Sequence, residues 1–233
     1  MEETSIIALH LGSGASACAI YNGKSVDTSM GLTPLEGLPG ATRSGNIDPS
    51  LIFHYTSHAD SLSQSSTEKM HITTAEDILN KQSGWKALTG TTDMGAITKN
   101  AAKGDEMAQL AIDILIDRVV GYIGNYYVKM GGDVDALVFA GGIGEKGKEF
   151  REGVCKLVSC LKIGFDKEKN EEAGEAKEDV FEISGEQGIK TLVVKTDEQV
   201  PILFGGIRAN DRLKWHVNVC NWRIFGRIRA GST

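Results

Sequence analysis

The chain has 233 residues, which is enough for one large domain or two small ones. Its hydrophobic fraction of 41% and charged fraction of 24% are ordinary for a globular protein, and a net charge of −6 argues against nucleic-acid binding. From Pro201 onward six basic residues stand against one acidic residue, a net +5, so residues 1–200 carry −11. We therefore expect the last segment to differ in kind from the body of the chain.

The cysteines and the first residues bear on the compartment. The four cysteines form no C-x-x-C pair, and Cys18 and Cys155 lie in apolar runs. We expect buried thiols in a reducing compartment rather than disulfides or a zinc site. The acidic start, Met1 to Ser5, leads into only a short apolar run, which is not typical of a signal peptide or a membrane span. We expect a cytoplasmic protein that binds neither membrane nor nucleic acid.

The first predicted elements are three strands. One apolar run, Ile6 to Leu9, leads through two glycines into a second, Ala17 to Ile20. Asn22-Gly23 favours a two-residue hairpin turn with positive φ at both positions, so Ser25 to Thr28 should return antiparallel. The connection Gly12 to Ser16 leaves backbone N–H groups free to converge on an anion. An ordinary glycine-rich hairpin is the alternative interpretation.

A long loop and several helices follow. Residues 29–49 are rich in Gly, Pro, Thr and Ser without helical spacing, which predicts an extended loop over a site. Asp48-Pro49 indicates a helix start, and we expect the polar residues 58–69 to form a surface loop. Thr73 opens a capped helix that continues to Gly84. Residues 104–130 carry apolar side chains at every third or fourth position, which predicts a long helix buried on one face.

The last predicted elements surround a glycine run. Asp135 to Ala140 predicts a strand that ends in a turn, Gly141 to Gly144, and helical spacing resumes from Lys148 to Leu161. A strand, glycine turn and helix bring a ligand against backbone at a helix N-terminus. Lys190 to Val194 predicts a final strand. Together the elements predict an α/β domain with a mixed sheet flanked by helices.

Five longer blocks, in their order along the chain, resemble the acetate kinase family. They are residues 10–16, 25–38, 42–49, 137–145 and 196–198. The resemblance covers about residues 6–199 and corresponds to the C-terminal half of an acetate kinase. It implies an actin-, Hsp70- and sugar-kinase-like (ribonuclease H-like) nucleotide-binding domain over residues 1–199. It also implies Mg²⁺-dependent phosphoryl transfer between ATP and acetate or another short carboxylate, with acetyl phosphate as the product and a homodimer formed through this half.

The resemblance places nucleotide-binding residues in three segments. They are His10, Leu11, Gly12, Ser13 and Gly14 around the phosphates, Asp93 and Met94 in a second element, and Gly142, Ile143, Gly144 and Glu145 at the adenosine pocket. Three positions depart from the family pattern. Ser13 and Lys146 stand where asparagine is usual, and Gly95 stands where arginine often follows. We expect a weaker contact at Ser13, which is a smaller donor, and a missing positive charge near the phosphates or the adenosine at Gly95.

Arg43, in the sequence Thr42-Arg43-Ser44-Gly45, is the candidate catalytic residue. Phosphoryl transfer needs phosphates held in line and charge neutralised in the transition state. A guanidinium can bridge two phosphoryl oxygens and stays charged. The resemblance gives this arginine the transition-state role, whereas an isolated loop arginine is usually a solvated charge.

Glu198 matches the glutamate that helps to hold Mg²⁺ in the family. A hard cation favours carboxylates together with water and substrate phosphates, so one protein carboxylate is chemically sufficient. The alternative is an acidic cluster that caps a helix.

The resemblance ends in two places. Acetate kinases begin with another domain that supplies most of the acetate site, and no residue here matches its motifs. Residues 200–233 also leave the pattern, and we expect them to be a poorly structured basic tail. One alternative to the acetate kinase function is a catalytically inactive nucleotide-binding or dimerisation module. Another is a kinase with a different acyl acceptor or a pyrophosphate donor.

Overall fold

The computed structural model describes residues 4–55, 58–68, 70–186 and 188–196. These residues form two compact units. The first, called here the sheet unit, contains residues 4–12, 16–29 and 116–196. The second, the helical unit, contains residues 13–15 and 30–115. Glu198 and the tail from 200 to 233 lie outside the described residues, so the predictions made for them stay predictions.

Six strands form one mixed sheet. They are β1 (Ile6–Leu11), β2 (Ala15–Tyr21), β3 (Lys24–Thr28), β4 (Ala136–Ala140), β5 (Val180–Glu182) and β6 (Lys190–Val194). Their order across the sheet is β3-β2-β1-β4-β6-β5. β4 pairs in parallel with β1 and β6, whereas β2 with β3, and β5 with β6, are antiparallel. The mixed sheet predicted from the sequence is confirmed.

The predicted N-terminal meander is also confirmed. Asn22 has φ +50° and Gly23 has φ +72°, the positive values that the two-residue turn requires. The central strands β1 and β4 are buried on both faces, as is usual where strands pair in parallel. One face carries a buried apolar cluster formed by Ile6, Ala8, Cys18, Ile20, Ala136, Val138, Leu192 and Val194.

Eight α-helices occur in the described residues. They are α1 (Leu51–Tyr55), α2 (Thr74–Lys81), α3 (Gly84–Thr89), α4 (Met94–Ala101), α5 (Glu106–Lys129), α6 (Gly141–Lys146), α7 (Lys148–Leu157) and α8 (Lys167–Glu172). Thr73 caps α2 as predicted, because its hydroxyl accepts a hydrogen bond from the Glu76 amide at 3.2 Å. Within the described parts of the chain, no helix combines the length and apolar character needed to cross a bilayer.

The long helix α5 confirms the prediction for residues 104–130. Asp105 caps it by accepting hydrogen bonds from the amides of Met107 and Ala108. One face is buried, with Leu115, Val119, Ile123 and Tyr126 each 0% exposed. The expectation that all its apolar residues share this face is wrong for three of them. Met107, Leu110 and Ile114 are 37–45% exposed and form a second apolar stripe.

Three boundaries differ from the prediction. The helix that starts after Thr73 ends at Lys81 rather than Gly84, because Gly84 has φ +66° and starts a separate helix, α3. The glycine run after β4 is the short helix α6 rather than a turn. The helical spacing up to Leu161 divides into α7, which ends at Leu157, and a 3-10 turn over Ser159–Leu161.

Candidate nucleotide site

The loop that carries Arg43, residues 40–45, is fixed by backbone hydrogen bonds within the helical unit. Two of these flank Arg43: Ser44 N donates to Leu79 O at 2.9 Å, and Thr42 O accepts from Ser83 N at 3.0 Å. Two more lie earlier in the loop: Gly40 O accepts from Trp85 N at 3.2 Å, and Ala41 O accepts from Lys86 N at 2.9 Å. The Thr42 hydroxyl adds a hydrogen bond to Asn80 O at 2.8 Å. A Cβ at Gly84 would lie 2.1 Å from Gly40 O, so the close approach requires glycine. Arg43 therefore extends from a rigid base.

The Arg43 side chain is half-buried and its Nη1 donates a hydrogen bond to Pro34 O at 3.1 Å. No carboxylate among the described residues forms an ion pair with it. Burial lowers the pKa of Arg43, but a guanidinium remains protonated at any physiological pH. The side chain thus presents a positive charge that no described acidic residue neutralises.

Ser13 and Gly14 contact this loop directly. The amide of Ala41 donates a hydrogen bond to Ser13 O at 2.8 Å. A Cβ at Gly14 would lie 2.3 Å from Nη2 of Arg43. The structure therefore brings together two segments that the sequence predicted separately as phosphate-binding and catalytic. A glycine backbone beside a guanidinium is suited to binding a phosphoryl group.

Asp93 and Met94 lie in the same unit, at the start of α4. The Asp93 carboxylate accepts hydrogen bonds from the amides of Gly95 at 2.8 Å and Ala96 at 3.3 Å. This is helix N-capping, which accounts for the aspartate without a ligand. Trp85 Nε1 donates to Thr92 O at 3.2 Å and anchors the preceding residue. A nucleotide contact at Asp93 or Met94 stays a prediction.

The remaining nucleotide-binding candidates lie in the sheet unit. His10 and Leu11 end β1, Gly12 follows it, and His10 stands opposite Ala140 in the pairing with β4. A Cβ at Gly141, which has φ +77°, would lie 2.7 Å from Leu11 O. The end of β1 and the start of α6 therefore meet.

Within α6, Ile143 and Gly144 are buried and Gly142 is exposed. A Cβ at Gly142 would find no atom within 4 Å. The backbone at Gly142 is thus accessible to a ligand, whereas the Ile143 side chain packs inward.

Glu145 of α6 forms hydrogen bonds with Thr196, which follows β6. Its Oε1 accepts hydrogen bonds from the amide of Thr196 at 3.0 Å and from the Thr196 hydroxyl at 2.7 Å. Both groups are partly buried, and they are 51 residues apart in the sequence. The carboxylate thus ties α6 to the segment that leads into Glu198. A direct contact of Glu145 with the nucleotide stays a prediction.

Arg151 of α7 was missed by sequence reasoning. It is 0% exposed, and Nη1 donates to the carbonyl oxygens of Gly144 and Glu145, each at 2.8 Å. Nε donates to Asn170 Oδ1 at 2.7 Å, and Nη2 to Asn170 O at 3.0 Å. Burial lowers the pKa of Arg151. In sequence, an arginine between Glu149 and Glu152 is typical of a solvated helix face, so no local signal identified it.

The comparisons with known proteins agree with these features. The model of the Acetokinase family matches residues 1–203. The chain belongs to the acetokinase family. It is 57% identical over 207 residues to a probable acetate kinase of Emericella nidulans. The matched region covers 88% of this chain and 49% of that protein. The chain therefore spans about half the length of the curated relatives it matches.

Solved structures confirm the fold of this acetokinase chain. The crystal structure of Porphyromonas gingivalis acetate kinase has a TM-score of 0.74 at 36% identity, covering 87% of this chain and 48% of that one. A propionate kinase from Francisella tularensis gives 0.73 at 36% identity, again covering 87% and 48%. The predicted actin- and sugar-kinase-like fold is confirmed. That the chain corresponds to the C-terminal half stays a prediction.

The described residues of this acetokinase chain hold no group of three or more His, Cys, Asp or Glu side chains arranged to bind a metal ion. Mg²⁺ in kinase sites is often held by one or two carboxylates, waters and substrate phosphates, so such a group is not required. The predicted ligand Glu198 lies outside the described residues. Of the described hydrogen bonds, the one between Thr196 and Glu145 lies nearest to Glu198 in the sequence.

Proposed function

We propose that this chain carries the nucleotide-binding and phosphoryl-contacting residues of an acetate kinase. The reaction transfers the γ-phosphoryl group of ATP to a carboxylate oxygen of acetate. A new P–O bond forms in line as the bond to the β-phosphate oxygen breaks, which gives acetyl phosphate and ADP. The observation that carries the proposal is the contact between Gly14 and Arg43. Membership of the acetokinase family supports it.

Arg43 acts on the transferring phosphoryl group. Its charge is not neutralised by any described carboxylate, and only its Nη1 has a hydrogen bond in the described structure, to Pro34 O. The remaining N–H groups can donate to the phosphoryl oxygens, where negative charge accumulates in the transition state. Partial burial strengthens this interaction because less water screens it. The backbone of Ser13 and Gly14 beside the guanidinium holds the same group.

The α6 segment acts on the nucleoside. Gly142 offers exposed backbone to the adenosine, and Gly144 and Ile143 pack inward and keep that backbone in place. Leu11 supports the same segment through its close approach to Gly141. Mg²⁺ supplies charge neutralisation on the phosphates when it is bound, and we assign Glu198 as its protein ligand. The buried thiols Cys18 and Cys155 favour a cytoplasmic location.

A homodimer formed through the helical unit belongs to the same proposal. Met107, Leu110 and Ile114 expose an apolar stripe on α5. An apolar cavity of about 510 Å³ opens beside Ile114 and is lined by Leu51, Ile78, Leu79, Trp85 and Leu88 among others. Contiguous exposed apolar surface of this kind is typical of an interface between subunits.

Two measurements on the purified chain test the proposal. Calorimetry with Mg-ATP reports binding, and coupled assays report acetyl phosphate formation from ATP and acetate. We expect binding, and in any active form of the protein Arg43→Ala should lower the rate on the order of 10²–10³-fold, the scale seen when a charge-stabilising donor is removed. Arg118→Ala, which removes an exposed arginine of α5, is the matched control. Near-normal turnover in Arg43→Ala would refute the role of this arginine.

Other outcomes separate the alternatives. Binding of Mg-ATP without turnover would identify a nucleotide-binding module that needs residues from elsewhere. Faster turnover with propionate than with acetate, or with pyrophosphate than with ATP, would identify a related kinase of different specificity. Absence of both binding and turnover would refute the proposal.

A further inference from the structure

Arg151 is a buried cation without a carboxylate partner among the described residues. A buried charge is tolerated only when hydrogen bonds replace its hydration. Four acceptors do so here, two from the Gly144 and Glu145 carbonyls and two from Asn170. Each side of the planar guanidinium is therefore occupied, and its rotation is fixed.

The two carbonyls that accept from Nη1 belong to the last turn of α6. Carbonyl groups at a helix C-terminus lack partners within the helix and favour a nearby cation. α6 has only six residues, of which three are glycine, and such a helix is not stable by itself. Arg151 supplies the hydrogen bonds that the last turn lacks.

Asn170 fixes the guanidinium from the other side. It is 1% exposed, and its Nδ2 donates a hydrogen bond to Lys148 O at 3.0 Å, at the start of α7. These hydrogen bonds join Asn170 to Arg151 and Lys148, both of α7, and none of them reaches α6. The sequence of contacts therefore runs from α8 through Asn170 and Arg151 to the glycine segment.

We propose that Arg151 is a positioning residue that holds α6 in the conformation that binds the nucleoside part of ATP, without touching the nucleotide itself. The inference rests on the proposed function, in which Gly142 and its neighbours bind the adenosine. The guanidinium is completely enclosed, so it acts through the Gly144 and Glu145 carbonyls. The exposed backbone of Gly142 lies less than one helical turn before them.

Two ligands separate positioning from general stability. Mg-ATP uses both the nucleoside and the phosphate contacts, whereas inorganic triphosphate uses the phosphate contacts alone. We expect Arg151→Met to weaken Mg-ATP binding about tenfold in calorimetry and to leave triphosphate binding within about twofold, since one lost orienting contact has this scale. Arg151→Lys keeps the charge but not the fork of donors and should give an intermediate loss. Arg118→Met, an exposed arginine, is the control and should change neither affinity.

Three results would overturn the inference. They are unchanged Mg-ATP affinity in folded Arg151→Met, equal weakening of both ligands, and a loss of the same size in Arg118→Met. If Arg151→Met does not fold, Asn170→Ala decides, because it releases the guanidinium from the side away from α6. A folded Asn170→Ala protein with unchanged Mg-ATP affinity would then refute the positioning role. Failure of the proposed function is distinguishable, because wild-type protein would itself not bind Mg-ATP.

Discussion

Gly14 and Arg43 lie so close that a Cβ at Gly14 would be 2.3 Å from Nη2 of the arginine. The ordinary contact distance between such atoms is above 3.4 Å. An alanine at this position must therefore displace the end of the Arg43 side chain. Because that end is flexible, the displacement costs the fold little and falls on the function of the guanidinium.

We accordingly expect Gly14→Ala to fold and to lose acetyl phosphate formation by roughly ten- to a hundredfold, since a displacement of about 1 Å at a catalytic group has this effect. Initial rates and thermal unfolding are measured on the same preparation. Gly121→Ala is the matched control, because a Cβ there meets no atom within 4 Å. Wild-type activity in Gly14→Ala, or a loss explained by unfolding, would contradict the expectation.

Gly142 offers the converse test. A Cβ there meets no protein atom within 4 Å, and the residue is exposed, so Gly142→Ala should leave the melting temperature unchanged or slightly raised. If the adenosine lies against this backbone, the added methyl group occupies its space. We expect calorimetric affinity for Mg-ATP to fall about tenfold, a loss of the order of one unfavourable contact. Unchanged affinity would place the nucleoside elsewhere.

Sequence reasoning predicted the N-terminal meander, the long helix and the last strand because each has a strong local signal. The Asn22-Gly23 turn and the apolar spacing of α5 are both of this kind. β5 was missed because three residues are too few to show alternation. α6 was predicted as a turn because glycine disfavours helix, and the tertiary contacts of Gly141 and Gly144 override that preference.

The candidate site likewise contains residues that the sequence indicated and contacts that it could not show. The family blocks indicated Arg43 and the glycine segments, but no pattern could show that Ser13 and Gly14 contact the arginine loop. Arg151 and Glu145 form hydrogen bonds with Asn170 and Thr196, which are 19 and 51 residues away in the sequence. Such contacts depend on the packing of α7, α8 and β6, which periodicity does not reveal.

Glu145 should control the order of the segment after β6. Glu145→Ala removes the acceptor for both the amide and the hydroxyl of Thr196. A hydrogen bond to a charged group contributes about 1.5–3 kcal/mol, so we expect exchange of the Thr196 amide to accelerate at least tenfold. Hydrogen exchange measured by NMR tests this. Thr196→Val is the control. It keeps the hydrogen bond from the backbone amide and loses only that from the hydroxyl, so it should accelerate exchange less.

The cysteines should differ in reactivity. Burial raises the pKa of Cys155 to about 12, whereas Cys160 is exposed. Because the thiolate is the reactive form, iodoacetamide at pH 8 should label Cys160 and leave Cys155 unmodified until the protein is unfolded. The unfolded thiol ionises near pH 8.5, so this burial stabilises the fold below that pH and the contribution declines as the pH rises toward 12. Peptide mass spectrometry would contradict this account if native Cys155 reacted as fast as Cys160.

The exposed stripe of α5 provides the test of the dimer. Leu110 and Ile114 are 44% and 37% exposed, and Ile114 also borders the apolar cavity. A lysine at either position would place an unpaired charge in an apolar interface, so Leu110→Lys and Ile114→Lys should raise the dimer dissociation constant at least about tenfold. Sedimentation equilibrium over a range of concentrations measures this constant. Val128→Lys, at an apolar residue of the same helix that is 75% exposed and outside the stripe, should leave the constant unchanged. If Val128→Lys dissociates the dimer and the other two variants do not, the interface lies elsewhere.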